Sequence, residues 1–389
     1  MLDFTIFGFI ALASLISTFI SSRLKAPAVI FLIILGMLFG PHCLGFIKES
    51  DTIKLFSEIG SVLLLFLIGM EFNFEKLKEA GLIKVSVIFL IEITFIFALM
   101  YSTFSLLGFE KEKSIYLSSI FAFTSTALVS RILKEMDLYK RREVPIIIGV
   151  CVLEDISLVF FLSFVSSLAI QQEISLTTIA LSLLKSFLVL LFVIFLLLKF
   201  SKFVSTYFPK DNETRLMVAI GLLSFFLWLS NSLGMSSSLG AFVAGSIIFS
   251  FSTSKIRELV EEIGILFVSV FFLSFGMYIN PYSILFNLPI IFLLSVLVII
   301  GKIISISSGF RIFGYSIESS FFASTSMTSL GEASILLASY GTSIGIISTD
   351  LFSIIPAIVM VTSSASFFLI KFHKEIGRFF ERFFVFKKI

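Results

Sequence analysis

Apolar stretches of membrane-spanning length follow one another almost without pause from residue 4 to residue 371. A hydrocarbon core about 30 Å thick is crossed by about 20 helical residues rising 1.5 Å each. Ordinary soluble domains carry about 25% charged residues; this chain carries 14%, against 58% hydrophobic. The expected fold is an all-α polytopic membrane protein. Hydropathy predicts thirteen spans, near 4–22, 27–47, 55–72, 84–107, 114–133, 144–170, 178–204, 214–231, 236–251, 260–279, 284–306, 317–340 and 350–371. The first lacks a basic leader and a small-residue cleavage site, so it is expected to be a span rather than a signal peptide. No long polar linker interrupts the series. Residues 372–389 are expected to form a short tail, leaving no room for a soluble regulatory domain.

The basic residues sort with this count. Thirteen spans place 23 Lys and Arg on the side of the C-terminal tail and 4 on the other. Basic residues concentrate on the cytoplasmic side of short loops. The tail is therefore expected to be cytoplasmic and the N-terminus external, in a multi-pass protein of the cell membrane. Two lysines, Lys185 and Lys302, fall within spans instead. Cys43 and Cys151 both fall in apolar segments and are expected to be buried, unpaired thiols.

Glu154 and Asp155 stand side by side in the middle of the sixth span, Val144 to Ile170. Glu154 is roughly 15 Å into that helix. Each charge at such a depth costs about 2.5–3.5 kcal/mol even on lenient insertion scales, so intramembrane carboxylates point to function. Consecutive helical residues diverge by about 100°, so the two cannot face the same point. One is expected to face an aqueous cavity and the other a neighbouring helix, with Lys302, deep in the eleventh span, as its partner. Two carboxylates and a lysine in low dielectric form a site that takes either a proton or a cation. Glu92, in the fourth span, is expected to face the bundle interior or to pair with Lys185. Glu332 follows a glycine and is expected at a helix terminus, where a carboxylate is favoured.

The two halves echo each other. Gly36 to Gly40 is matched by Gly240 to Gly245. Glu58-Ile59-Gly60, with Gly69-Met70 and Asn73, is matched by Glu262-Ile263-Gly264, with Gly276-Met277 and Asn280. Ala122-Phe123-Thr124-Ser125 is matched by Ala323-Ser324-Thr325-Ser326. Offsets near 201–207 residues amount to seven spans, an odd number, so the second copy would be inverted. Repeat one is expected over about 4–170, a linking helix over about 178–204 and repeat two over about 214–371. Spans five and twelve are crowded with Ser and Thr, including Thr124 and Ser125, and are expected to be discontinuous helices crossing in the protein interior.

No enzyme is expected from this pattern. His42 and His373 are too few and scattered for a metal cluster, no nucleotide loop is visible, and Ser157 has no histidine near it. Ser157 is expected to be a supporting hydroxyl beside Asp155. No cofactor and no nucleic-acid partner are expected.

The segments GMLFGPHCLG, SEIGSVLLLFLIGMEFN, SLGAFVAGSI, FFLSFGMYIN and SLGEASILLAS together resemble the monovalent cation:proton antiporters, in the branch that holds sodium/proton antiporters and potassium-efflux membrane domains. The resemblance covers nearly the whole chain. It implies a homodimer of thirteen-helix protomers, each with a dimerisation domain and a moving core domain, working by elevator-like alternating access. By position, Asp155 matches the family's ion- and proton-binding aspartate, Glu154 the subtype-variable residue before it, Lys302 the buried lysine of span eleven, and Thr124-Ser125 the polar break of span five. Glu at position 154 departs from the Asp, Asn or Gln found in the subtypes; an acid there favours the electrogenic type. The expected function is exchange of Na⁺, with Li⁺ or K⁺ as further candidates, for H⁺ at a buried carboxylate site. The alternatives are K⁺/H⁺ exchange, or a channel or sensor on the same scaffold.

Overall fold

The structure is a computed structural model that describes residues 4–24, 28–48, 50–71, 81–170, 212–232, 237–248, 254–343 and 345–376. The expected linking helix, Lys185 and most of the tail lie outside the described residues. Within them the chain is helical throughout, with no strand. In chain order the helices are α1 (Phe4–Leu24), α2 (Ala28–Phe39), α3 (Asp51–Glu71), α4 (Leu82–Leu106), α5 (Lys111–Ile120), α6 (Thr126–Glu135), α7 (Val144–Ile170) and α8 (Asn212–Ser232). They continue as α9 (Ser237–Ile248), α10 (Ser254–Met277), α11 (Pro281–Phe286), α12 (Leu288–Ile312), α13 (Ile317–Ser326), α14 (Glu332–Ser343) and α15 (Thr349–Lys371). Four helical stretches among the described residues are long and apolar enough to cross a membrane: Leu82–Leu106, Arg257–Met277, Leu288–Ile312 and Ile354–Lys371.

The chain divides into two compact units. The first comprises Met1–Ser50, Ala80–Glu154 and Phe272–Ile389, the second Asp51–Glu79 and Asp155–Phe271. Glycines set the helix spacing in each. In the first, a Cβ on Gly36 of α2 would lie 2.0 Å from the Leu273 carbonyl oxygen, and one on Gly276 equally close to that of Ile33. In the second, a Cβ on Gly245 of α9 would lie 2.1 Å from the carbonyl oxygen of Phe66 on α3, and one on Gly69 2.3 Å from that of Phe242. No side chain fits at any of these positions, so the backbones meet directly, as lipid-embedded helices require when burial of oil against oil supplies little drive. Helix α2 is shorter than its predicted span. It ends at Phe39, and Cys43 stands in the following turn, exposed rather than buried as expected.

Two segments of the first unit break in the middle. The helix through Ile120 stops and restarts at Thr126; the helix through Ser326 stops and restarts at Glu332. The two breaks touch: the Ser125 amide donates to the Ser329 carbonyl at 3.0 Å, and Gly331 leaves the space that the Ser125 side chain fills. Freed backbone groups find protein partners. Ser125 caps α6 by accepting from Leu128 N–H, Ser334 donates to the Ile120 carbonyl, Ser366 to that of Thr325, and Leu330 N–H donates to Thr362. Such pairing is what permits non-helical backbone at membrane depth.

A polar latch ties the start of α7 to α13 and to the residues after α15. His373 is buried, its ring 5.1 Å from that of Phe322, while the Arg141 guanidinium lies 4.0 Å over the Phe322 ring. Nδ1 lies 2.6 Å from the Ile370 carbonyl and Nε2 lies 2.9 Å from Arg141 Nη1. A carbonyl only accepts and a guanidinium only donates, so the ring is neutral, with its proton on Nδ1. Glu143 pairs with Arg141 at 3.2 Å, and Glu318 lies 3.7 Å from Arg141 and 3.8 Å from His373. Burial, then the Arg141 charge, push the His373 imidazole below its ordinary value, outweighing the Ile370 and Glu318 contributions. Burial raises the Glu143 carboxyl, but hydrogen bonds from Ser319 and Arg141 outweigh it and hold the group below its usual range. A histidine depressed on folding contributes stability that is complete above its unfolded pKa, about 6.5, and is lost as pH falls through the lower folded value. The melting temperature of detergent-solubilised protein should therefore drop as pH falls from 7 towards 5, and His373→Phe should flatten that slope. An equal slope in the variant would mean that the latch does not titrate in this range.

Candidate functional site

The sixth predicted span delivers Glu154 to the broken segment of α5 and α6. The break leaves the Thr124 amide without a helical acceptor, and Glu154 supplies one: Oε2 accepts from Thr124 N–H, and Oε1 lies 3.0 Å from Thr124 Oγ1. Thr124 Oγ1 is also 3.3 Å from the Met327 carbonyl oxygen, at the second break. The Thr124 hydroxyl therefore has two acceptors in reach for its single proton, Glu154 and the Met327 carbonyl.

Lys302 enters from α12. Its Nζ donates to Glu92 Oε1 at 2.6 Å, to Thr124 Oγ1 at 2.7 Å and to the Ala122 carbonyl at 3.2 Å. An ammonium has three hydrogens, and all three are placed. Glu154 Oε1 is 3.8 Å away, within Coulomb range but beyond a hydrogen bond. Glu92, Glu154 and Lys302 are each fully buried, at 0% exposure. The result is a buried cluster of two carboxylates and one lysine, joined through a hydroxyl at a helix break.

The structure thus brings Glu154, Thr124 and Lys302 together. It changes the expected pairing, however: the near partner of Lys302 is Glu92 on α4, not Glu154, because α4 and α12 pack side by side. Gly309 admits Ile88, and Gly301, beside the lysine, sits against Ile96 and Leu99. Glu92 faces the bundle interior, one of its two expected settings, and meets Lys302 there; Lys185, the other candidate, lies outside the described residues. Ser125 builds the break, capping α6 and donating its amide to the Ser329 carbonyl. Asp155 follows Glu154 on α7 and is half-buried, as is Ser157. Glu332 opens α14 just past the second break.

Removing the Thr124 hydroxyl takes an acceptor from Lys302 and a donor from Glu154, both buried. Unmade buried hydrogen bonds cost about 1–3 kcal/mol. Thr124→Val should lower stability by about that amount while Thr124→Ser stays near the parent, as read from thermal melts in detergent. Equal melts for both would mean the hydroxyl does not hold the lysine.

Residues 10–371 match the family described as "Sodium/hydrogen exchanger, transmembrane". Among curated proteins, the chain is 30% identical over 345 residues to the "K(+)/H(+) antiporter subunit KhtU" of Bacillus subtilis (strain 168), covering 86% of this chain and 84% of that one. It is 28% identical over 340 residues to the "Probable Na(+)/H(+) antiporter GerT" of Bacillus cereus, covering 86% and 90%. Among solved structures, the sodium proton antiporter MjNhaP1 of Methanocaldococcus jannaschii at pH 8 superposes with a TM-score of 0.67 over 96% of this chain and 97% of that one, at 16% identity. That likeness is one of fold.

Proposed function

The chain belongs to the transmembrane sodium/hydrogen exchanger family, and we propose that it is a secondary antiporter exchanging Na⁺ for H⁺ by alternating access at the carboxylates of α7. The observation that carries this reading is Glu154, a carboxylate with no exposure to water, held by the amide and hydroxyl of a helix break with a lysine 3.8 Å away. Such a group is not needed for folding in an apolar environment and is expensive to bury. Its chemistry is competition. Asp155 and Glu154, side by side on this helix, take the cation or the proton, and Thr124 and Lys302 set the field around that exchange. One site that holds one or the other couples the two gradients without further machinery. Ser157 and Glu332 support it as a nearby hydroxyl and a charge at a helix start.

K⁺ is the alternative cation, favoured by the 30% identity to a protein named as a K⁺/H⁺ antiporter subunit. The two inverted repeats gain support from the glycine contacts. The second helix of copy one packs on the third helix of copy two at Gly36 and Gly276, and the reverse pairing meets at Gly69 and Gly245. The reading includes thirteen spans, a homodimer, an external N-terminus and a cytoplasmic tail. An acid at position 154 favours electrogenic exchange, in which each net charge carried feels about 2.3 kcal/mol per 100 mV.

The test is collapse of an imposed pH gradient in proteoliposomes on adding Na⁺, Li⁺ or K⁺. Na⁺ or Li⁺ should collapse it, and Asp155→Asn, folded as judged by its melt, should not respond. Response to K⁺ alone would make the protein a K⁺/H⁺ antiporter. Undiminished exchange by Asp155→Asn would reject the site.

A further inference from the structure

Lys302 stands between two carboxylates and is shared unequally. Glu92 holds it at 2.6 Å, whereas Glu154 is 3.8 Å away and is occupied by Thr124 instead. The three acceptors of the ammonium, Glu92, Thr124 and the Ala122 carbonyl, leave it no hydrogen for Glu154. A direct bond to Glu154 requires that one of them let go, and the movement needed is about 1 Å.

Glu92 is poorly explained as a brace. Its Oε2 is buried and has no hydrogen-bond partner, and buried polar atoms left idle are rare in structures that do not use them. Packing between α4 and α12 is already supplied by Ile88 on Gly309 and by Ile96 and Leu99 on Gly301. Buried ion pairs are often no better for stability than apolar side chains of like volume. What Glu92 does that packing cannot is choose where a positive charge sits. Besides the ammonium, the charged and titratable groups facing this point are Glu154 and Cys151, both from α7.

We propose that Glu92 is a positioning residue for cation binding: its carboxylate holds Lys302 off Glu154, so that the lysine does not compete with the transported cation for that carboxylate. The inference rests on the antiport reading of Glu154. Without the Glu92 charge, the ammonium gives up its weakest contact, moves onto Glu154 and neutralises it. Cation binding then weakens because an internal cation already occupies the charge that attracts it.

The measurement is the concentration of Na⁺, Li⁺ or K⁺ giving half-maximal thermal stabilisation of the detergent-purified protein, which reads binding without transport. Glu92→Gln should raise it about tenfold or more, the scale of one charge-assisted hydrogen bond, and Glu92→Asp should restore most of the loss. The decisive variant is Glu92→Gln combined with Lys302→Gln, which removes the ion pair as a unit and leaves Glu154 as the remaining buried charge of the three, its folding read from its melt without added cation. If the lysine is the competitor, its removal returns cation binding to the parental concentration or below; a bracing role predicts no such rescue. Double-variant binding that stays weak overturns the proposal, as does unchanged binding in folded Glu92→Gln. Glu154→Gln separates the two levels. Loss of cation stabilisation in it, beside an unchanged Glu92→Gln, overturns the role of Glu92 alone. Persistence in Glu154→Gln overturns that role together with the site beneath it.

Discussion

A lysine taken wholly out of water must find an acceptor for each of its three hydrogens, and the first unit is arranged around that requirement. Lys302 reaches three different segments: Glu92 on α4, and the Thr124 hydroxyl and Ala122 carbonyl in the break between α5 and α6. Ala122 can offer its carbonyl to a side chain because the helix stops there. Were the helix continuous, that oxygen would accept from the next turn, and the lysine would lack a partner. The break is thus a structural need of the charge, and the charge is a reason for the break to persist.

The same reasoning explains the serines and glycines. A break at membrane depth exposes amides and carbonyls that lipid cannot satisfy. Ser125, Ser334, Thr362 and Ser366 answer them one by one, and Gly331 yields the volume that lets Ser125 reach across to the second break. Small residues serve a second purpose at Gly36, Gly276, Gly69 and Gly245, where backbones lie closer than any Cβ allows. Close backbone contact makes each unit stiff, so charges placed in it keep their separations. Stiffness matters here because a shift of about 1 Å separates a lysine near Glu154 from one bonded to it.

Much of this was legible in the order of residues. Charges in apolar runs stand out because insertion penalises them, so Glu154, Asp155 and Lys302 were visible as a set, and the Ser- and Thr-rich runs marked the breaks. The partner of Lys302 was not, because pairing depends on which helices lie side by side, and hydropathy is silent on neighbours. Glu92 is expected as a buried acid facing the interior, which it is, but Lys302 is not named as its partner for that reason. Cys43 was misplaced because an apolar run continues past the end of α2, and hydropathy cannot tell a helix from the turn that follows it. His373 went unread as a structural residue. In sequence it is one histidine among basic tail residues, and only the fold puts it under Arg141 and Phe322.

The position of Glu92 has a further logic under the proposed duplication. An inverted repeat brings equivalent positions of its two copies face to face near the axis that relates them. Like charges at such equivalent positions would then repel one another. Glu92 and Lys302, roughly equivalent in the two copies, meet at 2.6 Å with opposite signs. Under that duplication, Glu in one copy and Lys in the other make this contact attractive rather than repulsive. An acid in both places would leave Glu154 in a field of uncompensated negative charge, and a lysine in both would leave it permanently neutralised. The mixed pair is the arrangement in which Glu154 has a cation near enough to feel and far enough to replace.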